Sequence, residues 1–319
     1  MEKNLSALGF MSGTSGDGVD TSVISSNGKD TINIKYNRFD PYPTSLSNKI
    51  HRVKESISEM QDLLKYSSEI DKLELEITDF HIDIAIKVTK EVDYDLIGFH
   101  GHTIYHNTEE KISKQIGLGA NLSKLTNKDV VYNFRQNDIK NGGEGAPLSP
   151  IYHLALIKSL FNENKVKIPI SILNIGGIAN ITEIKRDFKI TSRDIGPGNC
   201  LIDKWIRKNS DKFFDENGTL ADKGKTDKFI FNQYLDNYYY SKANSKRSLD
   251  TNDFDISFAK GLSLENGTTT ITDLTSELLS KKIGINDIYI CGGGRKNKYL
   301  INSLKKKINN KLHLIDDLN

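Results

Sequence analysis

The stretch from Met11 to Asp20, MSGTSGDGVD, constrains the fold most, because glycines, hydroxyls and carboxylates lie there between two apolar runs. Such a pattern predicts a strand, a tight turn and a second strand. Glycine lets backbone N–H groups approach a ligand closely and hydroxyls add donors, which suits a phosphate. The two carboxylates would repel a bare phosphate, so a divalent cation or a cationic group should accompany it. A Gly/Ser/Asp hairpin without a ligand is the open alternative.

Length and composition bound the class of protein. The 319 residues are enough for two domains of ordinary size. The 44 basic residues nearly balance the 42 acidic ones, so charge marks neither a nucleic-acid binder nor a membrane-surface binder. Cys200 and Cys291 match neither a disulfide framework nor a metal site, which favours a reducing cytoplasm. No run reaches the roughly 20 apolar residues that span a bilayer, so we expect neither a signal peptide nor a membrane anchor.

The chain repeats one architectural plan. In the first half the opening hairpin leads into further strands and helices, and a Gly- and Pro-rich break follows at Asn141 to Pro150. The second half restarts with an apolar strand at Ser171 to Ile175, a turn at Gly176-Gly177 and another strand at Ala179 to Ile184. We therefore predict two α/β domains, 1–165 and 166–319, each a mixed sheet flanked by helices, with a cleft between them.

Four glycine-rich segments follow strands or predicted strand ends: Gly13 to Gly18, Gly142 to Gly145, Gly176-Gly177 and Gly292 to Gly294. Two of them occupy matching positions in the two halves. This recurrence indicates backbone that must pass close to a ligand such as a nucleotide and its phosphates. For the last segment a close crossing of helix and strand is an equally good explanation.

Asp194 is the sharpest catalytic candidate, since it stands between a predicted strand and the turn Gly196-Pro197-Gly198. A carboxylate in such a place is held rigidly with few side chains in its way, as a general base requires. A turn-forming role ahead of the helix that begins near Cys200 is the alternative.

Polar residues of the first half form a second group of candidates. His100, His102 and His106 lack the further ligands that a metal site of familiar spacing needs, so we interpret them as polar contacts at the end of a strand. Arg135 and Asp138 combine a planar donor with an acceptor, which suits an anionic or hydroxyl-rich ligand. A surface ion pair is the alternative for these two residues.

Seven motifs, in order and spacing, resemble those of the 1,6-anhydro-N-acetylmuramic acid kinases, from the first strand to about Asn302. They are MSGTSGDGVD, GFHGHTIYH, KQIGLGANLSK, VVYNFRQNDIKNGGEGAPLSPIYH, LNIGGIANIT, DIGPGNCLIDKW and CGGGRKN. The resemblance implies the two-domain, actin-like (ribonuclease H-like) fold of the ATPase and sugar-kinase superfamily.

The resemblance also implies a reaction. ATP would phosphorylate O6 of 1,6-anhydro-N-acetylmuramic acid while water opens the anhydro ring, giving N-acetylmuramic acid 6-phosphate for the recycling of cell-wall peptidoglycan. Mg²⁺ would neutralise charge on the phosphates. The expected partners are therefore ATP and an amino sugar, without nucleic acid or membrane, in a cytoplasmic enzyme for which a homodimer is an open expectation.

The resemblance assigns roles by motif. Asp194 would be the base that deprotonates the attacking water. The residues expected at the nucleotide and its phosphates are Gly13, Thr14, Ser15, Gly16, Asp17, Gly18, Val19, Asp20, Gly176, Gly177, Gly292, Gly293, Gly294 and Asn297. The residues expected at the sugar are His100, Arg135, Asp138, Gly143, Glu144 and Gly145.

Departures from the family's pattern leave an alternative open. The family usually has Gln where His102 stands, Asp at Asn133, Gln at Glu144, and often Gly-Asp-Pro where this chain has Leu118 between two glycines. Its members also continue past a point like Leu314 into a Gly-Asp-x-x-Glu-Ala segment and a helix. These differences make a weakened relative that binds nucleotide or muramic sugar, or a kinase for another sugar, the competing hypotheses.

Overall fold

The computed structural model describes residues 4–13, 15–239 and 248–318. The chain divides into two compact units, Met1–Leu148 and Ser149–Asn319. The sequence predicts a later boundary, between residues 165 and 166. Among the described residues, no helix is both long enough and apolar enough to cross a membrane.

The first unit is a mixed sheet with helices packed against it. Its elements, in chain order, are β1 (Leu5–Ser12), β2 (Gly18–Ser26), β3 (Ile32–Pro41), α1 (Thr44–Ser56), α2 (Met60–Lys65), α3 (Ser67–Thr89), β4 (Leu96–Asn107), β5 (Ile112–Ile116), α4 (Gly119–Thr126), β6 (Asp129–Tyr132) and α5 (Phe134–Lys140).

Strands of the first unit follow the order β3-β2-β1-β4-β5, and β6 also pairs with β4. The strands β1, β2 and β3 form an antiparallel meander, while β4 runs parallel to β1 and to β6. The pairing of Ser12 with Val19 closes the first glycine turn, so the predicted strand, turn and strand are confirmed. Asn27-Gly28 between two apolar runs predicts a second hairpin, which the pairing of Ser26 with Ile32 confirms.

The second unit contains a sheet of the same design. Its elements are α6 (Pro150–Asn162), β7 (Ile170–Ile175), β8 (Ile178–Ile184), β9 (Ile190–Pro197), α7 (Cys200–Asn209), α8 (Lys228–Tyr239), α9 (Leu264–Ser280), β10 (Asp287–Cys291), α10 (Lys298–Lys305) and β11 (Leu312–Leu314). The strand order is β11-β10-β7-β8-β9, with β7, β8 and β9 antiparallel and β10 parallel to its two neighbours.

Both sheets therefore begin with three antiparallel strands and add parallel strands beside the first of them. This confirms the predicted α/β class with two units that each contain a mixed sheet flanked by helices. In each unit the core lies where the sheet meets its helices, with Leu8 and Ile77 fully buried in the first unit and Ile175 and Leu300 in the second. Burial of such apolar side chains is the main driving force for the fold.

The structure differs from the sequence prediction in three places. The spacing of apolar residues predicts one helix from Leu63 to Val88, but the structure interrupts it at Tyr66, between α2 and α3. The apolar run from Asp95 to Phe99 predicts a short strand, but the strand continues to Asn107, because the histidine-rich stretch pairs with β5. The short elements β5, α4 and α5 have no counterpart in the prediction, since each is too short for a clear periodicity.

Candidate active site

The first glycine turn lies between β1 and β2, and its glycines differ in whether the surrounding structure requires them. A Cβ on Gly18 would lie 2.4 Å from the carbonyl oxygen of Asp40, and one on Gly16, which has φ +59°, would lie 3.2 Å from the His51 ring. Packing and backbone conformation therefore require glycine at both positions. A Cβ on Gly13 would find its nearest neighbour, the Ser15 hydroxyl, at 3.7 Å, which is an ordinary contact. Packing does not require glycine at position 13, where the family resemblance leads us to expect a phosphate.

Hydrogen bonds fix the conformation of this turn. The N–H of Gly16 donates to the carbonyl of Gly13 at 3.1 Å, and the Ser15 hydroxyl donates to the Asp17 carboxylate at 2.5 Å. The Ser47 hydroxyl of α1 donates to the carbonyl of Gly16 at 2.7 Å. The turn is thus held from within and from the first helix. Thr14, which the sequence also assigns to the phosphates, lies outside the described residues.

The remaining residues assigned to this turn differ in exposure. Asp17 and Asp20 are exposed, whereas Val19 is fully buried in the core of the first unit. The two carboxylates are accessible to a cation, while the side chain of Val19 packs among apolar residues. The described residues contain no group of three or more His, Cys, Asp or Glu side chains that could hold a metal ion by themselves.

His100 and Arg135, two of the residues assigned to the sugar, are in direct contact. The Nε of Arg135 donates to Nε2 of His100 at 3.0 Å, so Nδ1 is the protonated nitrogen and donates to the carbonyl of Gly101, also at 3.0 Å. Burial, together with the charge of Arg135, lowers the pKa of His100 to about 4. The imidazole is neutral at pH 7 and orients the guanidinium.

Asp138 shapes the loop that contains the other residues assigned to the sugar. Its Oδ2 accepts the N–H of Gly145 at 2.8 Å, and its carbonyl accepts the N–H of Gly143 at 2.9 Å. A Cβ on Gly143 would lie 2.1 Å from the same Oδ2, so only glycine fits there. Glu144 is exposed between the two glycines. The structure therefore gives Asp138 a role in the loop's conformation that the sequence did not indicate.

In the second unit, the glycine turn between β7 and β8 is joined to the backbone that follows Asp194. The N–H of Asn199 donates to the carbonyl of Gly176 at 2.8 Å, and the N–H of Gly198 donates to that of Gly177 at 2.9 Å. A Cβ on Gly198 would lie 2.2 Å from the carbonyl oxygen of Gly176. This close crossing is possible only for glycine, and it joins the Gly176-Gly177 turn to the segment that follows Asp194.

Asp194 itself is buried on β9, with 6% of its surface exposed, opposite Asn180 on β8. Its Oδ2 accepts the N–H of Leu249 at 2.8 Å. A backbone donor of this kind stabilises the ionised carboxylate and fixes its orientation. The carboxylate is thus an acceptor held in one orientation, an arrangement that suits a general base.

The last glycine-rich segment, Gly292 to Gly294, packs against the end of β7. A Cβ on Gly292, which has φ +80°, would lie 2.4 Å from Oδ1 of Asn174, and one on Gly294 would lie 2.3 Å from Cγ2 of Ile175. Close packing thus accounts for these two glycines. A Cβ on Gly293 would find its nearest neighbour, Nδ2 of Asn199, at 3.8 Å, so this residue has room and lies beside the motif that contains Asp194.

Asn297, which the family resemblance assigns to the nucleotide, caps α10. Its Oδ1 accepts the N–H of Leu300 at 3.0 Å, and its side chain is buried. Capping by Asn satisfies one of the unpaired N–H groups at a helix start. A Cβ on Gly218 would lie 2.5 Å from the same Oδ1, so the loop before α8 passes directly over this cap.

That loop, with α8, α9 and α10, encloses a cavity of about 990 Å³ that no sequence motif indicates. Asp273 in the middle of α9 lies in its wall and accepts from the hydroxyls of Thr226, Ser303 (2.7 Å) and Tyr299 (3.3 Å). The lining residues are Asn217, Gly218, Thr219, Asp222, Thr226, Lys228, Phe231, Asn232, Asp273, Lys298, Tyr299, Asn302, Ser303, Lys306 and Lys307. Aromatic, amide and charged groups of this kind suit a polar aromatic ligand.

Comparison with known proteins places these features in a family. The family model described as anhydro-N-acetylmuramic acid kinase matches residues 5–318. The chain is 45% identical to an anhydro-N-acetylmuramic acid kinase of Pelagibacter ubique, covering 99% of this chain and 88% of the relative. It is 35% identical to one of Rhizobium johnstonii, covering 92% and 81% of the respective chains.

Among solved structures, the activator of 2-hydroxyisocaproyl-CoA dehydratase from Clostridium difficile aligns with a TM-score of 0.44 and 12% identity, covering 99% of this chain and 89% of that chain. The chain belongs to the anhydro-N-acetylmuramic acid kinase family.

Proposed function

We propose that the protein uses ATP to phosphorylate 1,6-anhydro-N-acetylmuramic acid and opens the anhydro ring with water, giving N-acetylmuramic acid 6-phosphate in peptidoglycan recycling. The observation that carries the proposal is the hydrogen-bonded joint between the Gly176-Gly177 turn and the backbone after Asp194. A carboxylate and a phosphate-binding turn are held there as one piece. Membership of the kinase family supports the identity of the substrate.

Asp194 acts as the base in this proposal. A proton passes from water to its carboxylate, the water oxygen bonds to the anomeric carbon, and the bond from that carbon to O6 breaks. O6 takes the γ-phosphoryl group, and ADP leaves. Water is a poor nucleophile, so a positioned base contributes roughly 10² to 10⁴-fold to the rate. The bond from Leu249 keeps the carboxylate oriented before the substrate arrives.

In this proposal the glycine turns bind the phosphates of ATP. The N–H groups around Gly13 and Gly177 contact phosphate oxygens, and Gly293 lies beside the nucleotide. Mg²⁺ neutralises the phosphates when bound. The exposed carboxylates of Asp17 and Asp20 fit it, because this ion is commonly held by one or two carboxylates together with substrate phosphates and water.

We also propose that the nucleoside enters the cavity next to Asn297. Gly218 joins the cavity wall to the helix cap, and Tyr299 and Phe231 supply aromatic surface. The amides of Asn217, Asn232 and Asn302 can pair with the edge of a base. A cytoplasmic location, where ATP is available, is part of the same proposal. The two cysteines are free thiols, which agrees with a reducing compartment.

The test is a coupled assay with purified protein, ATP, Mg²⁺ and 1,6-anhydro-N-acetylmuramic acid. We expect ADP release and a phosphosugar whose mass includes one added water, with ¹⁸O from labelled water in the product. Absence of any phosphosugar would overturn the proposal. ATP consumption only with a different sugar acceptor would replace its substrate.

A further inference from the structure

A buried hydrogen-bonded chain lies beneath the first glycine turn. Ser12 is the last residue of β1 and directly precedes Gly13. Its hydroxyl lies 2.8 Å from the hydroxyl of Tyr42 and 2.8 Å from Nδ1 of His102. All three side chains are buried, with exposures of 4%, 6% and 0%. Hydrogen bonds in such surroundings are stronger than in water, and costly to leave unmade.

This chain holds both ends of the turn. The backbone N–H of Tyr42 donates to the carbonyl of Asp17 at 2.9 Å, while its hydroxyl meets Ser12 before the turn. His102 approaches Ser12 from the neighbouring strand, where the two residues are paired in the sheet. Ser12 and Asp17, on either side of the turn, are thus held by β4 and by the segment that precedes α1.

Only one nitrogen of His102 takes part. Among the described residues, Nε2 of His102 is buried and has no hydrogen-bond partner. Burial, together with the charge of Lys54, keeps the pKa of this imidazole well below its usual range, so the ring is neutral. A buried polar atom without a partner has a cost that an apolar side chain would avoid. The contact between Nδ1 and Ser12 is the feature that a histidine supplies here and an apolar residue would not.

We infer that His102 is a positioning residue for phosphoryl transfer, acting through Ser12 to fix the first glycine turn. The inference rests on the proposed kinase activity and adds to it a residue outside the nucleotide contacts. Because the turn binds phosphate through backbone N–H groups, a small rotation at Ser12 misdirects several donors together. Loss of the contact should therefore weaken ATP binding and phosphoryl transfer, whereas binding of the sugar should not change.

The test compares His102→Phe, Ser12→Ala and the double variant in the coupled assay. Loss of one buried hydrogen bond corresponds to about a five- to tenfold fall in kcat/KM for ATP, with KM for the anhydro sugar nearly unchanged. The double variant should be no worse than Ser12→Ala alone, because Ser12→Ala already removes the contact with His102 together with the contact with Tyr42. His102→Asn, whose amide can occupy the place of Nδ1, should restore most of the activity.

His153→Phe is the matched control, because His153 is also buried and its Nδ1 also meets one hydroxyl, that of Thr182, at 2.9 Å. If His153→Phe lowers kcat/KM for ATP as much as His102→Phe, general destabilisation explains the effect and the inference is wrong. Additive losses in the double variant, or a His102→Phe enzyme as active as the wild type, would also overturn it. Should His102→Phe not fold, Ser12→Ala and His102→Asn still decide the question. A wild-type enzyme that makes no phosphosugar contradicts the proposed function instead.

Discussion

The amide of Leu249 donates to Oδ2 of Asp194 at 2.8 Å, although 55 residues separate the two in the sequence. The donor is a backbone group, so mutation of a neighbouring side chain cannot remove it. An asparagine at position 194 can accept the same hydrogen bond through its amide oxygen, so Asp194→Asn keeps the contact with Leu249. Replacement of Asp194 therefore tests basicity with little change of structure.

Asp194→Asn should lower kcat by about 10² to 10⁴-fold, since an amide cannot take a proton from water. ATP affinity, measured by calorimetry with a non-hydrolysable analogue, should stay nearly constant. Asp203→Asn is the control, because Asp203 is a similarly buried carboxylate in the first turn of α7. It should retain turnover within a few fold. Full activity of Asp194→Asn would remove Asp194 from its role as the base.

Two glycines of the first turn should respond differently to alanine. Gly18→Ala places a Cβ against the carbonyl of Asp40, so we expect a loss of about 1–3 kcal/mol in the free energy of unfolding. Gly13→Ala has room for its Cβ, so the free energy of unfolding should change by less than about 0.5 kcal/mol while KM for ATP rises. Denaturant titration and ATP kinetics measure the two effects. Equal destabilisation by both variants would contradict the ligand explanation for Gly13.

Acid should destabilise the protein in a defined pH range. Burial lowers the pKa of His81, His100 and His153 to about 4 in the folded state, against about 6.5 in the unfolded chain. The unfolded chain therefore binds protons first as the pH falls. Stability is complete above about pH 6.5 and is lost progressively between there and about pH 4.

Urea titrations at several pH values across this range measure the effect. His153→Phe removes one of the titrating groups and should reduce the slope of the free energy of unfolding against pH. A free energy of unfolding that is flat from about pH 6.5 to about pH 4.5 would contradict the prediction.

Filling the cavity tests the proposed nucleoside site. Asn302→Trp adds a large side chain to the cavity wall on α10 and should raise KM for ATP by about tenfold or more, without raising KM for the sugar. Lys305→Trp is the matched control, because Lys305 is exposed on the same helix and does not line the cavity. An unchanged KM for ATP in Asn302→Trp would place the nucleoside elsewhere.

Sequence reasoning succeeds where the physical cause is local. The strand, turn and strand around Gly13 follow from apolar runs on either side of glycines, and the order of motifs identifies the family. The same pattern cannot separate Gly18, which packing requires, from Gly13, which has room, because the difference depends on Asp40 from another strand. The purpose of a glycine becomes visible only in three dimensions.

Features that combine residues from distant segments could not be predicted from the sequence. The cavity wall combines the loop around Gly218 with three helices, and Asp273 stands in a helix without any motif. His102 meets Ser12 across 90 residues, and the sequence reveals only that it differs from the family's usual glutamine. The contact between His102 and Ser12 depends on the register of β4 against β1, which a periodicity of apolar residues does not fix.

The joint between the second glycine turn and α7 has a consequence for selectivity. In a planar peptide group the C=O and N–H bonds point in opposite directions. The carbonyls of Gly176 and Gly177 are directed at the amides of Gly198 and Asn199, so the N–H bonds of the same two peptide groups point the opposite way. In the proposed function these two N–H groups would face the phosphate as a one-sided row of donors, built without a charged side chain and with no side-chain group to titrate.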